Sequence, residues 1–169
     1  MNITVDIGGE RAVRRVFVAI DVPDEVKDSI IAYQHELEKH VEGNFVRREN
    51  LHITVFFIGN RKFDIGLLTK FAGTRRLDKS VRIGGLDAFP DMHTPKVLFL
   101  QVNADLGEVH DEIADLLGLG DRKAFVPHFT ICRVKRVMSE LPDTGTVWEF
   151  RAENLHVYGS DFRDYYRLV

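Results

Sequence analysis

The sequence predicts an α+β fold with two lobes, each an antiparallel sheet with helices on its outer side, related by a pseudo-two-fold axis around a central cleft. First, candidate helices are few and candidate strands come in pairs, which favours hairpins over a doubly wound parallel sheet. Second, two predicted strands carry the same pattern, His52-x-Thr54 and His128-x-Thr130. Third, the two histidines are 76 positions apart, one in each half of the chain, which suits two similar lobes.

In the first half, β-branched runs predict strands and apolar residues at helical spacing predict helices. The first helix is indicated by Pro23 near its first position, by Asp24 and Glu25 in its first turn, and by an apolar stripe that reaches Leu37. We expect this helix to end near Gly43. The predicted order is a strand at 15–20, this helix, a strand at 44–47, the first motif strand at 51–55 and a helix at 64–72.

In the second half, Pro90 and Pro95 predict a loop between two strands, and the Gly84-Gly85 pair predicts a bulge or loop. Gly118 ends a helix with a continuous apolar stripe. The predicted order is strands at 81–89 and 96–102, a helix at 104–117, the second motif strand at 127–131, and two strands around 148–158 and 165–169, with a turn at 159–161.

We expect residues 1–169 to form a single two-lobed domain, with residues 1–13, including a short strand at 2–7, as a peripheral extension. The chain has 169 residues, a net charge of −3 and a pI of about 6.2, which argue against a broad surface for polyanions. The lone Cys132 excludes an intramolecular disulfide and a multi-cysteine zinc site. No apolar stretch approaches the roughly 20 residues that span a bilayer, and no signal-peptide core opens the chain. We therefore expect a cytoplasmic protein without membrane contact.

The two motifs have the residue types that phosphodiester chemistry needs. Successive strand side chains point to opposite faces, so His52 shares a face with Thr54 and His128 shares one with Thr130. One imidazole can accept a proton from the nucleophile while the other donates a proton to the leaving oxygen. Threonine hydroxyls can donate hydrogen bonds to phosphate oxygens, and a guanidinium such as Arg133 can contact the anion with two donors.

Other interpretations of the motifs are weaker. A single histidine in a strand is most often structural, and only the duplication of the pattern favours a functional pair. A metal site usually needs a third ligand, but neither motif strand holds an acidic residue and no His-x-x-x-His occurs. The chain also lacks a Gly-x-Ser-x-Gly elbow and a phosphate-binding glycine loop before a helix. We therefore expect no metal and no cofactor.

The motifs and their flanks resemble the 2H phosphoesterase superfamily, and within it the RNA 2′,3′-cyclic phosphodiesterases, which are also called 2′-5′ RNA ligases. The resemblance covers nearly all of the chain from Arg14 onward. Its segments are RVFVAIDVP (15–23), ENLHITVFFIG (49–59), PKVLFLQV (95–102) and PHFTICRVK (127–135). This family has two α+β lobes around a groove. The resemblance implies an enzyme that opens a 2′,3′-cyclic phosphate at an RNA 3′ end to a 2′-phosphate, with 2′-5′ ligation as the reverse reaction.

The resemblance also implies roles for particular residues. His128 is expected to be the proton acceptor and His52 the proton donor, with Thr54, Thr130 and Arg133 on the phosphate.

Phe17 and Phe45 are expected near the base or ribose, although many family members carry Trp where this chain has Phe45. The expected partners are RNA 3′ ends with a 2′,3′-cyclic phosphate, tRNA fragments among them, and the protein is expected to be a monomer. Two alternatives stay open. The groove could bind an RNA end or nucleotide without turnover, or it could act on a small cyclic phosphate or a 2′-5′ oligonucleotide.

Overall fold

The computed structural model describes residues 15–59, 61–120, 125–160 and 165–167, and these residues form three α-helices and nine β-strands. The predicted strand at 2–7 lies outside the described residues. The helices are α1 (Asp24–Leu37), α2 (Ile65–Thr74) and α3 (Gly107–Leu117). The strands are β1 (Arg15–Asp21), β2 (Val41–Phe45), β3 (His52–Gly59), β4 (Arg76–Phe89), β5 (Val97–Asn103), β6 (His128–Val137), β7 (Trp148–Asn154), β8 (His156–Ser160) and β9 (Tyr165–Arg167).

The strands form two antiparallel sheets, which confirms the predicted α+β class. The sheet of the first lobe has the order β3-β1-β8-β9, and the sheet of the second lobe has the order β2-β6-β5-β4-β7. The two motif strands, β3 and β6, therefore belong to different sheets. Apolar side chains from both sheets and from all three helices form one continuous buried cluster.

The lobes do not correspond to the two halves of the chain, because the helices cross between them. Helix α1 follows a strand of the first lobe but packs on the second, where the Gln34 amide donates to the Ile131 carbonyl at 3.1 Å. The Trp148 indole likewise donates to the Ser29 hydroxyl at 2.8 Å. Helices α2 and α3 pack on each other and on the first lobe. The apolar face of α1 is thus buried on the sheet that α2 and α3 leave uncovered, a pairing that local sequence does not encode.

Several element boundaries differ from the sequence prediction. Helix α1 ends at Leu37 rather than near Gly43, because Val41 already pairs with Val137 in β2. The single strand predicted around 148–158 is two strands, β7 and β8, which separate at the buried Leu155 and join different sheets. No glycine or proline marks this break. The turn predicted at 159–161 is also displaced, since residues 159–160 belong to β8.

Each motif strand contains a β-bulge directly after its threonine. Thr54 lies opposite Ala19 and Phe56 lies opposite Val18, so Val55 is an additional residue in β3. In the same way, Thr130 lies opposite Phe99 and Cys132 opposite Leu98, so Ile131 is an additional residue in β6. An additional residue reverses which face of the sheet the following side chains occupy. The two motifs therefore share their bulge as well as their residue types.

Strand β2 approaches the second motif strand so closely that one position requires glycine. A Cβ atom on Gly43 would lie 2.4 Å from the Arg133 carbonyl oxygen, and Gly43→Ala would force the two strands apart. We expect this substitution to lower the free energy of unfolding by about 1–3 kcal/mol, as overpacking does. The matched control is Gly107→Ala at the start of α3, where a Cβ would meet nothing within 4 Å. Urea denaturation of both variants measures the effect, and equal stability of the two would contradict the expectation.

Candidate active site

The two His-x-Thr motifs meet where the lobes join. Strands β3 and β6 come from different sheets but contact each other directly. His52 and His128 are close enough that the charge of His128 lowers the pKa of His52. The structure thus brings the predicted pair of histidines into one site.

Both imidazoles are held in the same way. The Nδ1 atom of His52 lies 2.6 Å from the carbonyl oxygen of Asn50, two residues earlier. The Nδ1 atom of His128 lies 3.0 Å from the carbonyl oxygen of Val126, again two residues earlier. A carbonyl oxygen only accepts, so each Nδ1 must carry a proton and donate it. Each ring is thereby left with Nε2 as the nitrogen that can gain or lose a proton during a reaction.

An aromatic stack supports His52 on the face of the first sheet. The Phe17 ring lies parallel to the His52 ring with centroids 4.7 Å apart, and the Tyr158 ring stacks on Phe17 at 5.4 Å. The register of β1 explains this arrangement, because Asp21 lies opposite His52 and Phe17 lies opposite Tyr158, all on one face. The stack leaves the His52 ring with little freedom to reorient.

The surroundings of His52 favour its neutral form. Burial is the largest cause and lowers the pKa of His52 to about 4, and the charges of His128 and Lys27 lower it further. The hydrogen bond to Asn50 acts in the opposite direction but does not compensate. Neutral His52 has a lone pair on Nε2, which lies 3.1 Å from the Thr54 hydroxyl and accepts its proton in a hydrogen bond.

The bulge in β6 places Arg133 on the active-site face. Strict alternation would put His128 and Arg133 on opposite faces, since they are five positions apart. With Ile131 as an additional residue, Arg133 lies opposite Val97 in the set of positions that also contains Phe99, Thr130 and His128. Arg133 is exposed, so its guanidinium is accessible to an anion in the cleft.

The two phenylalanines predicted near a base or ribose are less accessible. Phe17 is only 4% exposed, because His52 and Tyr158 cover its ring, so it offers little surface to a ligand. Phe45 lies opposite the buried Cys132 and packs against the core, on the other face of the sheet from His128. Their contact with a base or ribose stays a prediction of the resemblance, and the geometry indicates that Phe17 positions His52.

Two groups beside His52 escaped the sequence analysis. The Asp21 carboxylate accepts hydrogen bonds from the Tyr158 hydroxyl and the Arg167 guanidinium, and lies 3.4 Å from Nε2 of His156. Lys27 in α1 acts on His52 through its charge. Asp21 could have been found by extending the face of β1 from Phe17, but the position of Lys27 depends on how α1 packs.

Among the residues that the structure describes, no group of three or more His, Cys, Asp and Glu side chains could hold a metal ion. Within the same residues, none of the helices is long and apolar enough to cross a membrane.

The chain matches the family model described as LigT like Phosphoesterase over residues 20–99. A protein from Methanocaldococcus jannaschii, named RNA 2′,3′-cyclic phosphodiesterase, is 30% identical over 164 residues, which cover 86% of this chain and 91% of that protein. A Thermotoga maritima protein with the same name is 34% identical over 135 residues, covering 72% of this chain and 70% of that protein. The chain therefore belongs to the LigT-like phosphoesterases, which confirms the family predicted from its motifs.

Solved structures share the fold. The crystal structure of a Thermus thermophilus protein superposes with a TM-score of 0.78 at 23% identity, covering 92% of this chain and 95% of that one. Escherichia coli LigT complexed with ATP superposes with a TM-score of 0.69 at 26% identity, with the same shares of both chains covered. The two-sheet architecture is thus the architecture of LigT.

The lowered pKa of His52 makes the stability of the protein depend on pH. Unfolded His52 takes up a proton near pH 6.5, whereas the folded protein resists this until about pH 4. The free energy of unfolding should therefore fall as pH falls through this range, by about 2–3 kcal/mol at most. Urea denaturation at pH 7 and pH 4.5 measures the change.

The variant His52→Gln should lose this contribution, because glutamine does not titrate. The exposed His35 on α1 provides the control His35→Gln, which should retain it. An unchanged pH dependence in His52→Gln would show that burial of His52 is not its source.

Proposed function

We propose that this protein hydrolyses the 2′,3′-cyclic phosphate at an RNA 3′ end to a 2′-phosphate by two-histidine acid–base catalysis. One observation carries the proposal: His52 and His128 lie in one site, and each donates Nδ1–H to a backbone carbonyl, so that Nε2 is the reactive nitrogen. The names of the relatives from Methanocaldococcus jannaschii and Thermotoga maritima support this substrate class.

In the proposed reaction, Nε2 of neutral His128 accepts a proton from a water molecule as its oxygen attacks phosphorus. The bond from phosphorus to the 3′ oxygen breaks, and protonated His52 donates its Nε2 proton to that oxygen. The products are a 3′-hydroxyl and a 2′-phosphate. Thr54, Thr130 and Arg133 stabilise the charge on the non-bridging oxygens. In the reverse reaction an RNA 5′-hydroxyl takes the place of water, and a 2′-5′ linkage forms.

The donor role of His52 requires the substrate to change its protonation. With a pKa of about 4, His52 is neutral before the substrate binds. A phosphate charge about 4 Å away contributes about 4 kcal/mol in a partly buried site, whereas holding a proton one pH unit above the pKa costs about 1.4 kcal/mol. The bound anion is therefore strong enough to keep His52 protonated near neutral pH. Substrate binding and the loading of the acid become one event.

The proposed partners are RNA 3′ ends with a 2′,3′-cyclic phosphate, tRNA fragments among them, bound by a cytoplasmic monomer. The decisive test is an oligonucleotide that ends in a 2′,3′-cyclic phosphate, incubated with the protein and a chelator. We expect a 2′-phosphate product at a rate that the chelator does not change. A rate that disappears with chelator and returns with a divalent ion would establish a metal mechanism instead. Tight binding without turnover would leave the protein an RNA-end binding module.

Removal of either histidine should abolish most of this activity. We expect His52→Ala and His128→Ala each to lower kcat by about 10²–10⁴-fold, the usual contribution of a general acid or base. The double variant should be little worse than the more damaging single variant, because the two groups act in one step. Exposed His93→Ala is the control and should retain the wild-type rate. Wild-type turnover in either single variant would refute the two-histidine mechanism.

The assignment of donor and acceptor has its own test. If His52 is the donor, binding of a nucleoside 2′-phosphate at pH 7 should take up a proton, and its affinity should fall as pH rises. Titration calorimetry in buffers with different ionisation enthalpies measures this uptake, which His52→Ala should remove. Wild-type binding without proton uptake would indicate that His52 stays neutral in the complex, and the two roles would then be exchanged.

A further inference from the structure

A pocket of about 610 Å³ lies beside His128 on the second lobe. Phe89, Phe99, Val126, Pro127 and Val147 form its apolar lining, with further residues from β4 and β5. The exposed fractions are 43% for Phe89, 61% for Val126 and 56% for Val147. Large apolar side chains with this much exposure, gathered in one concave place, are typical of a ligand pocket.

The pocket is continuous with the proposed catalytic site. Gln101 lies opposite His128 and Phe99 lies opposite Thr130, so the β5 side chains of the pocket share a face with the second motif. The edges of Phe89 and Phe99 contact the His128 ring, with centroid distances of 5.4 Å and 5.6 Å. A ligand whose phosphate lies at His128 can therefore reach this pocket with the group next to the phosphate.

Two glycines keep the pocket open. Ile83 lies opposite Val102 and Leu86 lies opposite Leu100, so Gly84 and Gly85 form a bulge in β4. A Cβ on Gly84 would lie 3.1 Å from the Val147 side chain, and one on Gly85 would lie 3.0 Å from the Gln101 amide oxygen. Gly85 also has a φ of +81°, which favours glycine. Side chains at these positions would fill the space that the bulge leaves.

The charges of the pocket favour an uncharged ring over a phosphate group. Arg82 is the one cation among the described residues that line the pocket, and its Nε donates to the Glu149 carboxylate at 2.8 Å. Asp87 adds a negative charge and accepts from the Gln101 amide at 3.3 Å. Phe89 stacks on Phe99 with centroids 4.3 Å apart, which presents a flat apolar surface with a polar edge beside it.

We propose that this pocket binds the nucleobase of the nucleotide that carries the cyclic phosphate, with Phe89 as the stacking surface. The proposal rests on the proposed function and names the base site that the function lacks. Neither Phe17, which is covered by His52 and Tyr158, nor Phe45, which packs against the core, offers a comparable surface. The ribose of the terminal nucleotide bridges the distance between the phosphate at His128 and the base in the pocket.

The test compares a nucleoside 2′,3′-cyclic phosphate with its analogue that lacks the base, 1-deoxyribofuranose 2,3-cyclic phosphate. Phe89→Ala removes the stacking surface, and Val147→Trp fills the pocket from an exposed position that the fold does not need. Both variants should raise KM for the nucleoside substrate by about 5- to 150-fold, the range for one stacked base. Neither should change kcat/KM for the baseless analogue more than twofold. The control Leu67→Ala, on the exposed face of α2, should change neither value.

Two results would overturn the proposal. The first is a nucleoside KM within twofold of wild type in both Phe89→Ala and Val147→Trp. The second is a larger rise in Phe57→Ala than in Phe89→Ala, because Phe57 is a 50% exposed aromatic opposite Phe17 on the first lobe and would then be the base site. Failure of the proposed function is distinguishable from both, since the wild-type protein would then leave the oligonucleotide and the nucleoside cyclic phosphate uncleaved.

Discussion

The structure of the site depends on one constraint: each motif strand must bury one face in the core while the other face carries the reactive groups. Ile53 and Phe129, at the centre of the two motifs, are fully buried, and this fixes which way the flanking histidine and threonine point. A shift of one residue in either strand would exchange the two faces. The burial that holds the sheets together therefore also sets the direction of both imidazoles.

The bulges modify this constraint at one place in each motif. Because Val55 and Ile131 are additional residues, positions five after each histidine return to the active-site face. In the second lobe that position is Arg133, a cation for the phosphate. In the first lobe it is Phe57, which is exposed and apolar. The two lobes thus repeat a backbone geometry but place different chemistry on it, as a site for an asymmetric substrate needs.

Burial of His52 links the stability of the fold to its proposed chemistry. The ring is stacked on Phe17 and held at Nδ1 by Asn50, so it is well placed but disfavours a charge. A donor with a low pKa is inactive until an anion arrives, and the anion then supplies the energy that protonation requires. The same burial that destabilises the protein in acid would thereby make the loading of the acid depend on the presence of substrate.

The sequence by itself determined the local features, because these follow from short-range pattern. The motif strands, the start of α1 at Pro23 and the glycine bulge in β4 are all readable from neighbouring residues, and so is the family. The tertiary structure alone decided how distant segments pair. It separated β7 from β8 at Leu155, carried α1 to the second lobe and placed Lys27 near His52, because long-range packing, not local preference, chooses partners for apolar faces. The register shift at Ile131, which brings Arg133 to the site, also belongs to the paired strands and not to either sequence segment alone.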